Sequence, residues 1–280
     1  MHSYAFRRAV DDIGAVCRST SPISAARWVA FLASHARECA RTGSLIPADG
    51  AWLRRGASFN TPGGVAISLP GPYTPGAREM YCRNVYLRTG ITISAGSWVV
   101  DLGANCGLFS AWAAVAGARV VAVEAQRGYG PLIGQLARHN GVSERVSVES
   151  AIAGGVRTPG SKVGLISDDQ QWAAMSHGDA KRPREVSVPG LIAKYNIDRI
   201  GLLKVDIEGG EFAVFGKDED LRWLRCVDQL AMEIHPNFGD APALIATLEQ
   251  NGFSVDLRDN AGAPQGAISK SLEYVYCVAR

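Results

Sequence analysis

Residues Val99–Gly107 read VVDLGANCG. The apolar run stops at Asp101, a glycine-punctuated turn follows, and the LFSAWAAVA after it is helical in character. The stretch therefore predicts a strand, a tight turn and a helix, the layout that seats a small ligand at the carboxyl edge of a doubly wound sheet. The spacing is not G-x-G-x-x-G, because Asn105 stands where a second glycine would let the backbone approach a pyrophosphate. A ligand without phosphates fits this turn better.

Outward from the turn, the helix over Leu108–Gly117 leads into a short apolar strand, Arg119–Val123, that ends in Glu124. A carboxylate there can accept hydrogen bonds from both hydroxyls of a ribose. NAD sites use the same device, so the turn decides between the two cofactors, and it favours S-adenosylmethionine. The cationic sulfonium suits Asp101, and Gly103 and Gly107 leave the turn bare for the methionine-ribose portion. The expected cofactor-binding set is Asp101, Gly103, Asn105, Gly107, Glu124, Ala125, Ala151 and Asp206.

Further along, Leu202–Glu211 reads LLKVDIEGGE, a buried strand running into Asp206, Glu208 and Glu211 around a Gly-Gly pair that permits an abrupt turn. Glu233 and His235 of LAMEIHP lie two apart and, on a strand, share a face. Carboxyl ends of adjacent parallel strands converge, so Asp101, Asp206, Glu208, Glu233 and His235 are expected around one crevice. His235 is the expected general base, as a neutral imidazole oriented by Glu233; Glu208 or Glu211 would hold the acceptor or replace His235 as base. Glu211 reads equally well as a structural residue. Asp206, Glu208, Glu233 and His235 also offer oxygen and nitrogen donors suited to Mg²⁺ or Mn²⁺, but the expectation is a site without metal.

The strands predicted from about Glu79 onward are Trp98–Asp101, Val120–Glu124, Val146–Glu149, Leu202–Asp206, Leu230–His235, Phe253–Leu257 and Tyr274–Ala279. With the intervening helices they make a seven-stranded, mostly parallel α/β sheet with a terminal antiparallel hairpin. Residues 1–78 form an accessory region ahead of the main domain, residues 79–280. In it, Ser21-Pro22 reads as a helix start, Trp28, Phe31, Leu32 and Cys39 follow helical spacing, and Thr42-Gly43 offers a stop. Phe59–Leu69 reads as a hairpin turning at Pro62-Gly63-Gly64.

Asp101–Gly107, Glu124, the KVDIEGGE of Lys204–Glu211 and the E-I-H of Glu233–His235 together resemble the FkbM-type family of S-adenosylmethionine-dependent methyltransferases, over roughly residues 79–280. The resemblance implies a class I, Rossmann-like methyltransferase fold and methylation of a small molecule, a sugar or natural product of secondary metabolism, most often on oxygen. Two positions depart from the family pattern: Ser187-Val188-Pro189 replaces Thr-Leu-Asp, and Gly210 replaces Ala.

Between the third strand and Ser187, the polar, Gly- and Pro-broken stretch Ser167–Arg184 carries Trp172, Met175 and His177, expected to contact the acceptor as a lid. Stacking on Trp172 would suit C- or N-methylation of a heteroaromatic acceptor, the alternative to O-methylation. An NAD-linked oxidoreductase and a non-catalytic cofactor-binding protein are the more distant readings.

Composition frames these readings. The 280 residues are 47% hydrophobic with a net charge of +2, enough for a substantial core and uninformative about partners overall. Residues 1–78 hold nine arginines, no lysine and four acids, yet no basic run is interleaved with aromatics, so nucleic acid is not an expected partner. Six scattered cysteines without a C-x-x-C pair argue against structural zinc and a secreted disulfide framework, and no apolar run approaches the ~20 residues of a membrane span. A cytoplasmic protein with a small-molecule acceptor and no membrane partner is expected; the oligomeric state stays open, a homodimer included.

Overall fold

The computed structural model describes residues 2–71, 76–154, 184–216, 220–266, 268 and 272–280, with side chains from residue 11 onward. Its centre is an eight-stranded sheet. In chain order the strands are β3 (Trp98–Leu102), β4 (Arg119–Glu124), β5 (Val146–Ala153), β6 (Arg184–Val186), β7 (Ile200–Val205), β8 (Gln229–Glu233), β9 (Phe253–Asp259) and β10 (Leu272–Ala279). They lie in the order β6-β5-β4-β3-β7-β8-β10-β9. Seven strands were expected; the eighth is the three-residue β6, too short to carry an alternation and paired to Ala151–Ala153 at the sheet edge. The terminal hairpin is present, with β10 inserted antiparallel between β8 and β9.

From β3 the chain steps outward through β4, β5 and β6, then returns to β7 on the other side of β3. The β3–β7 boundary is thus the point where the connections reverse direction, and ligands of open α/β sheets bind just beyond it. β3, β4 and β7 are buried on both faces, which explains their near-continuous apolar sequences. The helices α5 (Leu108–Val115) and α6 (Tyr129–His139) flank β3 to β5, while α7 (Val188–Tyr195), α8 (Glu211–Val214) and α9 (Ala241–Gln250) follow β6, β7 and β8. Ser187 caps α7 by accepting from the Gly190 N–H at 3.2 Å, with Pro189 in the first turn, so the departure at 187–189 still starts a helix properly.

The amino-terminal region holds α1 (His2–Ser19), α2 (Pro22–Ser34), α3 (Ala36–Thr42), α4 (Ile46–Leu53) and a hairpin of β1 (Ala57–Asn60) and β2 (Ala66–Leu69). Ser21 caps α2 through Ser24, and Gly43 ends α3 in the left-handed conformation. A chain of edge-on and tilted ring contacts joins this region to the sheet: Trp28 to Trp52, Trp52 to Phe59, Phe59 to Tyr81 at 5.1 Å, and Tyr81 to Trp112 of α5 at 5.9 Å. One apolar core therefore runs through both parts of the chain.

Candidate active site

The turn after β3 is shaped by close backbone approach. Gly103 has φ +77°, and a Cβ there would stand 1.7 Å from the Asp206 carbonyl oxygen; Gly107 has φ +88° and would press its Cβ to 3.0 Å from the Ile133 Cα of α6. Both positions demand glycine because of neighbouring chain, a stronger reason than the bare surface expected from sequence. Asn105 also has positive φ (50°), and its side chain accepts from the Cys106 N–H at 2.7 Å.

Glu124 closes the other side of the turn. One carboxylate oxygen accepts from the Asn105 N–H and the other from the Gln126 N–H, both at 2.7 Å. Each oxygen keeps capacity for a second donor. Burial pushes this carboxyl above its ordinary range, offset in part by the two N–H groups and by Lys204. Ala125 beside it is half-buried, whereas Ala151, on β5, is wholly buried in the core.

Asp101 is the first correction. It was expected to face the sulfonium, but it is fully buried, accepting from Ser110 Oγ at 2.6 Å and paired with Lys204 Nζ at 3.1 Å. The register explains this: Asp101 and Lys204 are direct partners across β3 and β7, so they share a face. Lys204 also donates to the Gly103 carbonyl at 2.7 Å and lies 5.2 Å from the centre of the Tyr86 ring. Burial opposes its charge, but Asp101 and Asp206 outweigh that and hold the ammonium above its usual range. Lys204 thus bolts the turn to the two central strands.

Beyond the strand ends lies a crevice of about 650 Å³, bounded by the 103–106 turn, Tyr86, Asp206, Glu208 and Glu233, and on the amino-terminal side by Ile46, Arg78 and Met80. Its volume is in the range of small-molecule sites. Tyr86, which no motif marked, donates to Asp206 Oδ2 at 2.7 Å and contacts Glu233 at 3.2 Å. Burial and Asp206 push Glu233 up to about 8, and burial with the same two acids raises the Tyr86 hydroxyl well above its ordinary value. Arg78, in a π-helical turn over Arg78–Cys82, is buried between Asp49 and Asp12.

The second and third corrections concern His235. Glu233 does not orient it; Glu211 does, accepting from the His235 N–H at 2.7 Å and sitting 3.0 Å from Nδ1, with its other oxygen on the Gly209 N–H at 2.9 Å. β8 ends at Glu233, so the strand alternation does not extend to residue 235. Glu211 is wholly buried and holds the loop rather than the crevice. His235 Nε2 lies 3.4 Å from the exposed Glu208 carboxylate. Burial works against a charge on the ring, but Glu211, Glu208 and Glu233 together push it up to about 9, an environment that works against the neutral base expected. Trp172, Met175 and His177 lie outside the described residues.

This strand order, with a glycine turn after the central strand and a carboxylate ending the next, is the class I methyltransferase architecture. Residues 101–255 match the methyltransferase FkbM domain, and the chain belongs to that family. It is 30% identical over 210 residues to 31-O-demethyl-FK506 methyltransferase FkbM of Streptomyces tacrolimicus, covering 64% of this chain and 80% of that one. It is 26% identical over 228 residues to the AMB antimetabolite synthetase AmbE of Pseudomonas aeruginosa, covering 66% of this chain but only 11% of that protein. Among solved structures, precorrin 8w decarboxylase of Methanobacterium thermoautotrophicum matches with a TM-score of 0.42 at 14% identity, over 76% of this chain and 94% of that one. A Streptococcus mutans protein in complex with SAH gives a TM-score of 0.41 at 12% identity, over 67% and 91%. The chain is a methyltransferase by family; none of its described helices is long and apolar enough to cross a membrane.

Proposed function

We propose that the protein transfers a methyl group from S-adenosylmethionine to a hydroxyl of a small molecule. The observation that carries this is Glu124: a buried carboxylate at a strand's carboxyl end, fixed by two backbone donors, with one acceptor position left on each oxygen and held against Asn105, which lines the crevice. Those positions suit the two ribose hydroxyls, and Gly103–Cys106 lines the adjoining path. Bound there, the cofactor supplies an electrophilic methyl group.

The chain's own part is placement, since a displacement of this kind needs the acceptor oxygen in line behind the methyl carbon. Asp206 and Glu208 face the crevice with carboxylate oxygens able to accept an acceptor hydroxyl, and Tyr86 and Lys204 fix Asp206 from beneath. With the acids around His235 favouring its protonated form, the hydroxyl proton passes to one of these carboxylates. Oxygen as the target agrees with the name of the Streptomyces relative, a 31-O-demethyl-FK506 methyltransferase.

The test is incubation with methyl-labelled S-adenosylmethionine and small-molecule extract of the source, followed by mass spectrometry. A methoxy product in the small-molecule fraction is expected; label confined to macromolecules, or none, overturns the reading. Independently, Glu124→Ala should weaken adenosylhomocysteine binding roughly ten- to a hundredfold, about 1.5–3 kcal/mol by calorimetry, and unchanged affinity would remove Glu124 from the site.

A further inference from the structure

Resting on the crevice reading above, we propose that Asp206, Glu208 and His235 form a binding site for a divalent cation of the Mn²⁺ type. One ligand atom from each of the three lies within 4.8 Å of the others, close enough for one ion to reach all three after small side-chain movements. The set is two carboxylates and one imidazole, oxygen and nitrogen donors that suit Mn²⁺ better than the all-oxygen preference of Ca²⁺, the ion displacing the proton from His235 Nε2 to solvent as it binds.

The supporting shell points the same way. His235 Nδ1 meets the wholly buried Glu211, which also holds the His235 backbone, so the ring is fixed with Nε2 toward Glu208. A histidine whose far nitrogen is held by a buried carboxylate while the near one faces open donors is the arrangement that orients metal-ligating imidazoles. Asp206 is oriented in turn: Tyr86 and Lys204 engage Oδ2, and Oδ1 has no partner among the described residues. Glu208 is held at φ +52° by the Gly209-Gly210 turn, which presents its exposed carboxylate beside the ring. Glu233 lies behind, against Tyr86, and is not a ligand here.

The local charge also favours a cation: the carboxyl groups of Asp206, Glu208 and Glu211 converge near one imidazole ring, and the ammonium of Lys204 beside them is shared with Asp101. At the crevice wall, the ion would lower the pKa of an acceptor hydroxyl brought against it, a task the carboxylates perform weakly on their own.

The test is titration of the metal-free protein with Mn²⁺ alone, following loss of the free-ion electron paramagnetic resonance signal. One site per chain is expected, with binding at least tenfold weaker in Glu208→Gln and in His235→Gln. Glu208→Gln changes an exposed side chain, and its thermal midpoint should match the wild type, so lost binding there cannot be blamed on misfolding. Absence of binding at millimolar Mn²⁺, or binding that both variants leave unchanged, overturns the proposal. Adenosylhomocysteine calorimetry on the same preparation separates the two readings: cofactor binding without Mn²⁺ binding defeats only the cation site, while failure of cofactor binding defeats the crevice reading itself.

Discussion

Glu233 and His235 both hold their protons more tightly in the folded chain than in the unfolded one. Glu233 is raised from 4.5 to about 8, led by burial, and His235 from 6.5 to about 9, where its acidic neighbours overcome burial. When the folded state binds more protons, stability falls as pH rises. The Glu233 penalty accumulates between 4.5 and about 8; the His235 contribution is complete below 6.5 and is lost as pH climbs through about 9. In chelator-containing buffer the thermal midpoint should therefore decline from pH 5 to 9.5. Glu233→Gln should remove the decline below pH 6.5 and retain part of the alkaline one; a flat wild-type profile would contradict both assignments. At this scale the sequence places Asp206, Glu208, Glu233 and His235 near one another, as they are in the structure, because acids after buried strands have few other places to go, but it counts Asp101 with them, which turns to Lys204 instead. It mispaired them, because strand alternation says nothing about a residue two past the strand's end.

Among the elements, the β3 turn and the β3–β7 pair bear the most constraint. Gly103→Ala forces a Cβ against the Asp206 carbonyl and strains a positive-φ position, so it should cost about 2–4 kcal/mol in urea unfolding. A variant as stable as the wild type would show that this turn is looser than its geometry implies. Lys204→Ala strips the buried Asp101 of its counter-charge and should cost about 3–5 kcal/mol. The double variant Asp101→Asn, Lys204→Met should recover much of that loss, and if it proves as damaging as the single change, the pair's charge is not what matters. The strands themselves were legible, since burial on both faces writes a continuous apolar run. Short β6 was not, and neither was the register that turns Asp101 toward Lys204 instead of the crevice.

On the scale of the whole molecule, the aromatic chain from Trp28 to Trp112 makes the amino-terminal region part of the same core as the sheet, and its α4 and π-helical turn wall the crevice. Trp28 is fully buried and donates to Asp49 at 2.8 Å, so Trp28→Ala should cost about 3–5 kcal/mol. Because the core is shared, near-ultraviolet and far-ultraviolet circular dichroism should report one coincident transition, shifted together in the variant. Two separated transitions would show that residues 1–78 fold independently.

The sequence by itself determined the succession of strands apart from β6, the carboxyl edge where the acids meet, the Glu124 end of β4 and, through KVDIEGGE, the family. These are local: hydrophobic period, turn chemistry and acid placement are each written within a dozen residues. Only the tertiary structure decided which charges pair and what encloses the site. Tyr86 reaches Asp206 across 120 positions, Asp49 reaches Arg78 across 29, and Glu211 reaches His235 across 24. Such contacts depend on strand register and on how distant segments pack, and the energies that shift the protons of Glu233 and His235 arise only once burial has removed the water between them.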